Sequence, residues 1–238
     1  MKKIIQVYNL GRLDYSKSLK IQKYFVNNHL STVDSQRAQD TLLLVEHDPV
    51  FTVGLRHSLY KESELEKLKS LGASVEYSNR GGLITFHGHG QLVAYPILNL
   101  KNYSPSIKWY VCQLENTIVN LCSNSYKLKA NRLCNIGYTG VWVNDQKLAA
   151  LGINCTRYIT YHGIALNCNT DLTWFNHIIP CGIEDKKVTS LSKILNRNIG
   201  VNNVIDDFVK EFANLFSASI DCKTKEETNS LIQNIELE

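Results

Sequence analysis

No apolar stretch in these 238 residues approaches the ~18 that cross a bilayer, and the N-terminal pair Ile4–Ile5 is too short for a signal-peptide core. Membrane insertion and secretion are therefore not expected. Charge of one sign is also scarce. Against 26 Lys and Arg stand 22 Asp and Glu, a formal net charge of +4, with no run of five like charges. Such a field is too weak for a nucleic-acid partner, and a mildly basic surface suits an acidic protein better. The seven cysteines are odd in number, scattered and without a C-x-x-C pair, which predicts free thiols in a reducing compartment. His87-x-His89 has no Cys or His cluster beside it, so no metal site is expected. Proline is rare, four in all, and no internal repeat or low-complexity linker divides the chain.

With 44% hydrophobic residues the chain reads as one globular domain, long enough to bury roughly 70–75% of its unfolded surface without disulfides or a structural metal. Its elements alternate. A strand over Ile4–Tyr8 precedes a helix capped by Asp14, on which Tyr15, Leu19, Val26 and Leu30 share a face. The first 39 residues carry Lys2, Lys3, Arg12, Lys17, Lys20, Lys23 and Arg37 against Asp14 and Asp34, a basic first helix with a faint likeness to an organelle-targeting presequence. Leu42–Val45 is a buried strand, and His47–Gly54 turns into another. A charged helix over Glu62–Leu71 stops at Gly72. Strands follow at Val75–Ser78 and Leu92–Leu98, with a glycine-rich stretch between them. Residues 106–123 form an amphipathic helix through Ile107, Val111, Leu114, Ile118 and Leu121. Val141–Val143, a turn at Asn144–Gln146 and Lys147–Cys155 read as a hairpin, followed by a strand over Ile159–Asn167. Asp171 caps a short helix to Ile179, and Thr189–Leu195 and Val204–Phe216 are helical. Strands outnumber the helices that could cross between them, which favours an α/β (α+β) fold with a mixed sheet flanked by helices. The domain is expected over 1–220, with 221–238 a polar tail lacking a strong apolar stripe.

Three places carry candidate chemistry. Cys181 lies between Pro180 and Gly182 in a tight turn, where it is either an exposed nucleophile or a small turn residue. Cys112, Cys122, Cys155 and Cys168 lie within apolar elements and read as core filler. A thiol of ordinary pKa, ~8.5, is mostly protonated at neutral pH and needs a base or cation beside it. Lys147 is the candidate. Period-2 alternation puts it on the face of Ala149, Leu151 and Ile153, where a partly desolvated amine can accept a proton; the alternative is a hairpin-end lysine reaching back to water. The stretch Arg80–Gln91 concentrates four glycines, an arginine and two histidines, which allows close backbone approach to a ligand and polarisation of a carbonyl. Phosphate-loop and dinucleotide spacings are absent there, as is the hydrolase elbow G-x-S-x-G from the chain. His162-Gly163 repeats the His-Gly pairing in a later strand.

Taken together, three segments resemble the octanoyl-carrier-protein to protein octanoyltransferases of lipoate biosynthesis. They are Arg80-Gly-Gly-Leu-Ile-Thr-Phe-His87-Gly88 with Gly90–Pro96, Gly140–Gly152, and His162–Asn167 through Pro180-Cys181-Gly182, in that family's order and spacing. The resemblance spans residues 4 to 216, and Tyr138–Trp142 with Thr170–Phe175 looks most like the animal mitochondrial members. It implies a biotin/lipoate protein ligase-like catalytic domain, a mitochondrial location (cytoplasmic for a bacterial member) and ping-pong acyl transfer. It places the acyl-thioester nucleophile on Cys181 and the thiol-activating lysine on Lys147. The acyl pocket falls on Arg80, Gly81, Gly82, Leu83, Ile84, Thr85, Phe86 and His87, on Ala150, Leu151 and Gly152, and on Gly163, Ile164 and Ala165. No cofactor is implied, because the octanoyl donor rides on the phosphopantetheine arm of acyl carrier protein. The implied acceptors are lipoyl domains of 2-oxoacid dehydrogenase E2 subunits and the glycine cleavage H protein. No obligate oligomer follows. One departure is His89, where the family usually has proline in His-Gly-x-Gly, and its loss loosens that loop. The competing functions are an ATP-dependent lipoate or biotin ligase of the same fold, a cysteine hydrolase, and a non-catalytic protein that binds carrier protein or lipoyl domain.

Overall fold

The computed structural model describes residues 3–31, 38–133, 138–178 and 187–236. The elements run β1 (Ile4–Arg12), α1 (Tyr15–Ser31), β2 (Asp40–Glu46), β3 (Val50–Val53), α2 (Glu62–Lys69), β4 (Ser74–Tyr77), β5 (Thr85–His87), β6 (Gln91–Ile97) and α3 (Ile107–Tyr126). After these come β7 (Asn131–Leu133), β8 (Tyr138–Val143), β9 (Gln146–Thr156), β10 (Ile159–Asn167), α4 (Leu191–Leu195), α5 (Ile205–Phe216), β11 (Ser219–Cys222) and α6 (Lys225–Glu236).

Eight strands form one mixed sheet in the order β11-β1-β2-β6-β10-β9-β8-β7. β11, β1 and β2 are mutually parallel, and from β2 to β7 every neighbour is antiparallel. The run Leu42-Leu43-Leu44-Val45 is apolar throughout because both faces of β2 are covered. Leu42 and Leu44 face a core closed by α3 and α5, whereas Leu43 and Val45 face a second core closed by α1 and α6. A separate sheet, β4-β3-β5, packs under α2 around Phe51, Phe86 and Phe175.

The hairpin expected near Asn144 is present. Asn144 and Asp145 have φ of 47° and 59°, the left-handed pair of a type I′ turn, and Asn and Asp tolerate that region. Several expectations need correction. The glycine-rich stretch contains β5, three residues too short to carry a period. The helix after Asp171 is a 3₁₀ segment, Leu172–His177, with Asp171 accepting from Thr173 N–H. The 189–195 helix starts at Leu191 because Ser190 caps it, accepting from Lys193 N–H.

The largest difference is at the end of the chain. Residues 221–238 hold the end of β11 and the whole of α6 rather than a loose tail. β11 pairs with β1 from Ile4 opposite Ser219 to Val7 opposite Cys222. Leu231, Ile232 and Ile235 of α6 then pack into the core under α1. A stripe of three apolar residues is weak in isolation; it suffices because β11 has already joined the sheet and delivers the helix to an apolar site.

Candidate active site

A narrow pocket, partly open to solvent, lies on the α1 face of the sheet where β6, β10 and β9 run side by side. Its wall contains Arg80, Gly82, Thr85 and His87 of the glycine-rich segment, Ala150, Leu151 and Gly152 of β9, and Gly163, Ile164 and Ala165 of β10. These are ten of the residues expected for the acyl pocket, drawn from three separated parts of the sequence. Gly163 is obligatory there: a Cβ would stand 2.1 Å from the carbonyl oxygen of Ala94 on the neighbouring strand. At Gly152 a Cβ would stand 2.9 Å from the Gly81 carbonyl oxygen. At these two glycines neighbouring backbone packs directly against the strands, which brings β6 and the 80–82 loop into the wall.

Four expected pocket residues stand elsewhere. Alternation along the strand turns Ile84 and Phe86 away from the cavity into the core of the small sheet, where Phe86 stacks on Trp174 at 5.1 Å and 9°. Gly81 is not in the wall; its amide donates to Ile153 O at 2.9 Å and ties the loop to β9. Leu83 is half-buried outside the wall.

Lys147 reaches the cavity face by a device the sequence hides. Val141 pairs with Ala149, yet the next residue, Trp142, pairs with Lys147, so Leu148 is an extra residue, a β-bulge. Leu148 and Ala149 both join the α3–α5 core. The bulge thus reverses the expected alternation: Lys147 shares its face with Ala150 and Gly152, not with Ala149, Leu151 and Ile153. The side chain is 5% exposed. Its Nζ lies 4.8 Å from the ring centre of Trp142 and has no hydrogen-bond partner among the described residues. The Lys147 amide donates to Lys187 O (2.8 Å), and its carbonyl accepts from Thr189 N–H (2.9 Å). The chain that follows residues 179–186 is thereby pinned to it. Cys181, with Pro180 and Gly182, lies outside the described residues.

The polar wall is built from neutral groups around one cation. Arg80 is buried, its Nη2 donating to Thr52 O (2.6 Å) and Oγ1 (2.8 Å) and its Nη1 to Gly81 O (3.0 Å), so the guanidinium is fixed. Gln91 donates to Phe86 O and Asn167 Oδ1, which leaves its Oε1 to accept from His87 Nδ1–H at 2.7 Å. The lone pair of His87 is therefore on Nε2. By the same logic Asn79 donates to the Tyr161 hydroxyl and accepts from His162 Nε2–H (2.8 Å), leaving the lone pair on His162 Nδ1. Burial, with the charge of Arg80 and neighbouring groups, lowers both histidines to about 3. His47, behind the wall, donates Nδ1–H to Leu13 O and accepts from the Tyr95 hydroxyl, and burial lowers it to about 4.

Tyr15, Val93, Tyr95 and His162 also line the cavity. The first three were not expected there, and His162 was noted only as one of a His-Gly pair. Strand register was the missing signal: Ala94 opposite Ile164 brings Val93 and Tyr95 beside the β10 residues of the wall. No group of three or more His, Cys, Asp or Glu side chains is placed to hold a metal among the described residues.

A mixed sheet flanked by helices, carrying a narrow, mostly apolar cavity with a fixed cation and uncharged imidazoles in its wall, has the architecture of an α/β catalytic domain. The model for the lipoyl protein ligase A/B catalytic domain matches residues 14–213, and the chain belongs to that family. The mitochondrial octanoyl-[acyl-carrier-protein]:protein N-octanoyltransferase of Danio rerio is 48% identical over 219 residues, covering 92% of this chain and 95% of that protein. The protein of the same name from Homo sapiens is 39% identical over 221 residues, covering 91% and 95%. Among solved structures, lipoate-protein ligase A bound with ATP superposes with a TM-score of 0.74 at 14% identity, covering 99% of this chain and 94% of that one. A putative lipoate protein ligase from T. acidophilum with bound lipoic acid gives 0.71 at 14%, covering 99% and 95%. At that identity the structural likeness establishes the fold alone.

Proposed function

We propose that this protein is an octanoyltransferase of lipoate biosynthesis, an acyltransferase working in the mitochondrion. The observation that carries the reading is the cavity lined by Gly152 and Gly163, with Lys147 turned by the bulge at Leu148 to the same face of the sheet as Ala150 and Gly152. Animal relatives at 39–48% identity with this name and a mitochondrial designation support it.

Cys181, as a thiolate, attacks the carbonyl of an octanoyl thioester carried on acyl carrier protein. The C–S bond to the carrier's arm breaks and the carrier thiol departs, leaving octanoyl-Cys181. The ε-amine of a target lysine, on a lipoyl domain of a 2-oxoacid dehydrogenase E2 subunit or on the glycine cleavage H protein, then attacks this thioester. An amide forms and Cys181 is released. Thioester exchange is nearly isoenergetic and aminolysis is downhill, so the sequence runs without ATP or a cofactor. Lys147 takes the Cys181 thiol proton and returns it to the departing carrier thiolate, so that it is neutral again; it then accepts the proton of the attacking amine and hands it to the Cys181 sulfur as that sulfur leaves. Cys181 stands six residues before Lys187, whose carbonyl is held by the Lys147 amide, a connection that favours the pairing. Val93, Ala150 and Ala165, whose side chains share the α1 face, suit a saturated chain. At ~0.8 kcal/mol per buried CH₂ an octanoyl tail supplies on the order of 5 kcal/mol, less its ordering cost.

The test is the intact mass of the protein after mixing with octanoyl carrier protein, with Cys181→Ala and Lys147→Ala in parallel. One added octanoyl group is expected on the wild type, removable by hydroxylamine and absent from Cys181→Ala. The Lys147 variant should load slower by roughly 10²–10⁴-fold. No loading of the wild type, with transfer appearing only on addition of ATP and free octanoate, would replace this reading with a ligase.

A further inference from the structure

The basic character of the first helix is not used by the chemistry above. α1 contains Lys17, Lys20 and Lys23 and no acidic residue. At ~100° per residue each step of three turns ~60° back around the helix, so the three lysines cross its outer surface as a diagonal band. Lys17 and Lys20 are at one end of the band. With Ile21 they line a groove whose other wall is Ile232 and Ile235 of α6. Lys23 is at the other end, on the flank toward the cavity. Tyr15 at the start of α1 is in the cavity wall, and Gln22 Oε1 accepts from the backbone N–H of His162 at 2.9 Å. Lys23 is near enough for its charge to bear on the His162 imidazole. Neither Lys20 nor Lys23 forms an ion pair among the described residues, and both are exposed.

We propose that this face of α1, through Lys20 and Lys23, is the docking surface for an acidic face of the octanoyl-carrying donor protein. The proposal rests on the transferase reading above and names the place where the donor sits. Charge selects the donor over the acceptor. A carrier protein brings an anionic phosphodiester between its own surface and the thioester, so negative charge arrives at the cavity mouth with the acyl chain. The acceptor brings a lysine that is cationic until it reacts, and a row of lysines repels it. The groove beside Lys17 and Lys20, basic at the rim and floored by isoleucine, fits an amphipathic acidic helix.

The experiment compares wild type with Lys20→Glu/Lys23→Glu. Octanoyl carrier protein and octanoyl-pantetheine, the same thioester without protein or phosphate, serve as donors at low and high salt. The double variant should lose roughly tenfold or more in kcat/KM with octanoyl carrier protein at low salt, and the loss should shrink at high salt. Its kcat/KM with octanoyl-pantetheine and its KM for the acceptor domain should match wild type. Unchanged kinetics with the carrier, equal loss with both donors, or an effect confined to the acceptor KM would each overturn the proposal. Binding of acyl-free holo-carrier protein to both forms is measured alongside and needs no turnover. If wild type transfers octanoate from neither donor, the transferase reading fails; an equal Kd for both forms overturns the docking surface whatever the kinetics.

Discussion

Neighbouring residues of β5 look into two interiors of opposite construction. Thr85 and His87 line the cavity, while Phe86 between them enters the small-sheet core. That core is filled: Phe86 lies 5.3 Å from Phe51, 5.1 Å from Trp174 and 5.6 Å from Phe175, ring centre to ring centre. Gly88 is kept small by the Phe86 ring, whose Cζ would be 2.5 Å from a Cβ there. On the cavity side, glycines at 152 and 163 let neighbouring backbone approach closely, and the wall carries buried imidazoles whose hydrogen bonds fix their orientation. One side uses aromatic volume to stabilise the fold. The other gives up volume and buries polar groups to make a site, which concentrates its vulnerabilities in protonation and in small changes of shape.

Acid should break the cavity side most. His47, His87 and His162 are lowered from 6.5 to about 4, 3 and 3 by burial, so between pH 6.5 and 4 the unfolded chain binds more protons than the folded one. Stability therefore falls as pH drops through that window. At pH 5 each histidine contributes a loss of about 2 kcal/mol. Asp40 acts in the opposite sense. Its burial raises it to about 6, so below that pH the folded state takes up a proton first, and by pH 5 this offsets about 1 kcal/mol. Urea titrations at pH 7.5 and 5 should differ by roughly 5 kcal/mol in unfolding free energy. A difference under 1 kcal/mol would mean that the histidines are charged or solvated.

Phe86→Ala probes the filled side. Removing a fully buried, stacked phenylalanine should cost about 3–5 kcal/mol of stability, read in the urea midpoint. Because the ring faces away from the cavity, octanoyl transfer by the folded fraction at low temperature should stay within a few-fold of wild type. A large fall in kcat with little change in midpoint would return Phe86 to the acyl pocket, where the family resemblance had put it.

How much of this was legible depended on whether the signal was local. The long β10 strand and the α3 and α5 helices were readable because each carries a full period of apolar residues. α6 was missed because its three apolar positions matter only once β11 has paired with β1. The cavity residues of 80–87, 150–152 and 163–165 were found by resemblance, and strict alternation would have separated Ile84 and Phe86 from them. The alternation argument put Lys147 on the face of Ala149, Leu151 and Ile153, and the bulge turns it to the opposite one, since nothing in Lys147-Leu148-Ala149 announces a bulge. Register between strands is a tertiary property, and both that error and the omission of Val93 and Tyr95 come from it.

Gly152→Ala is the mildest change that sharpens the comparison. A Cβ there would meet Gly81 O at 2.9 Å and Arg80 Cδ at 3.0 Å. The first neighbour is backbone, tied to β9 by the hydrogen bond from Gly81 N to Ile153 O, so it yields only if that loop shifts by a few tenths of an ångström. The second is the stem of a guanidinium anchored at Thr52, which cannot swing aside without losing those bonds. Overpacking at one methyl should therefore cost about 1 kcal/mol in stability. Its clearer effect is on transfer, because the displaced loop carries Arg80 and Gly82 in the cavity wall. A several-fold rise in KM for octanoyl carrier protein is expected, with kcat little changed. A lowered urea midpoint with an unchanged KM would mean that the loop absorbs the methyl without moving Arg80 and Gly82 in the wall.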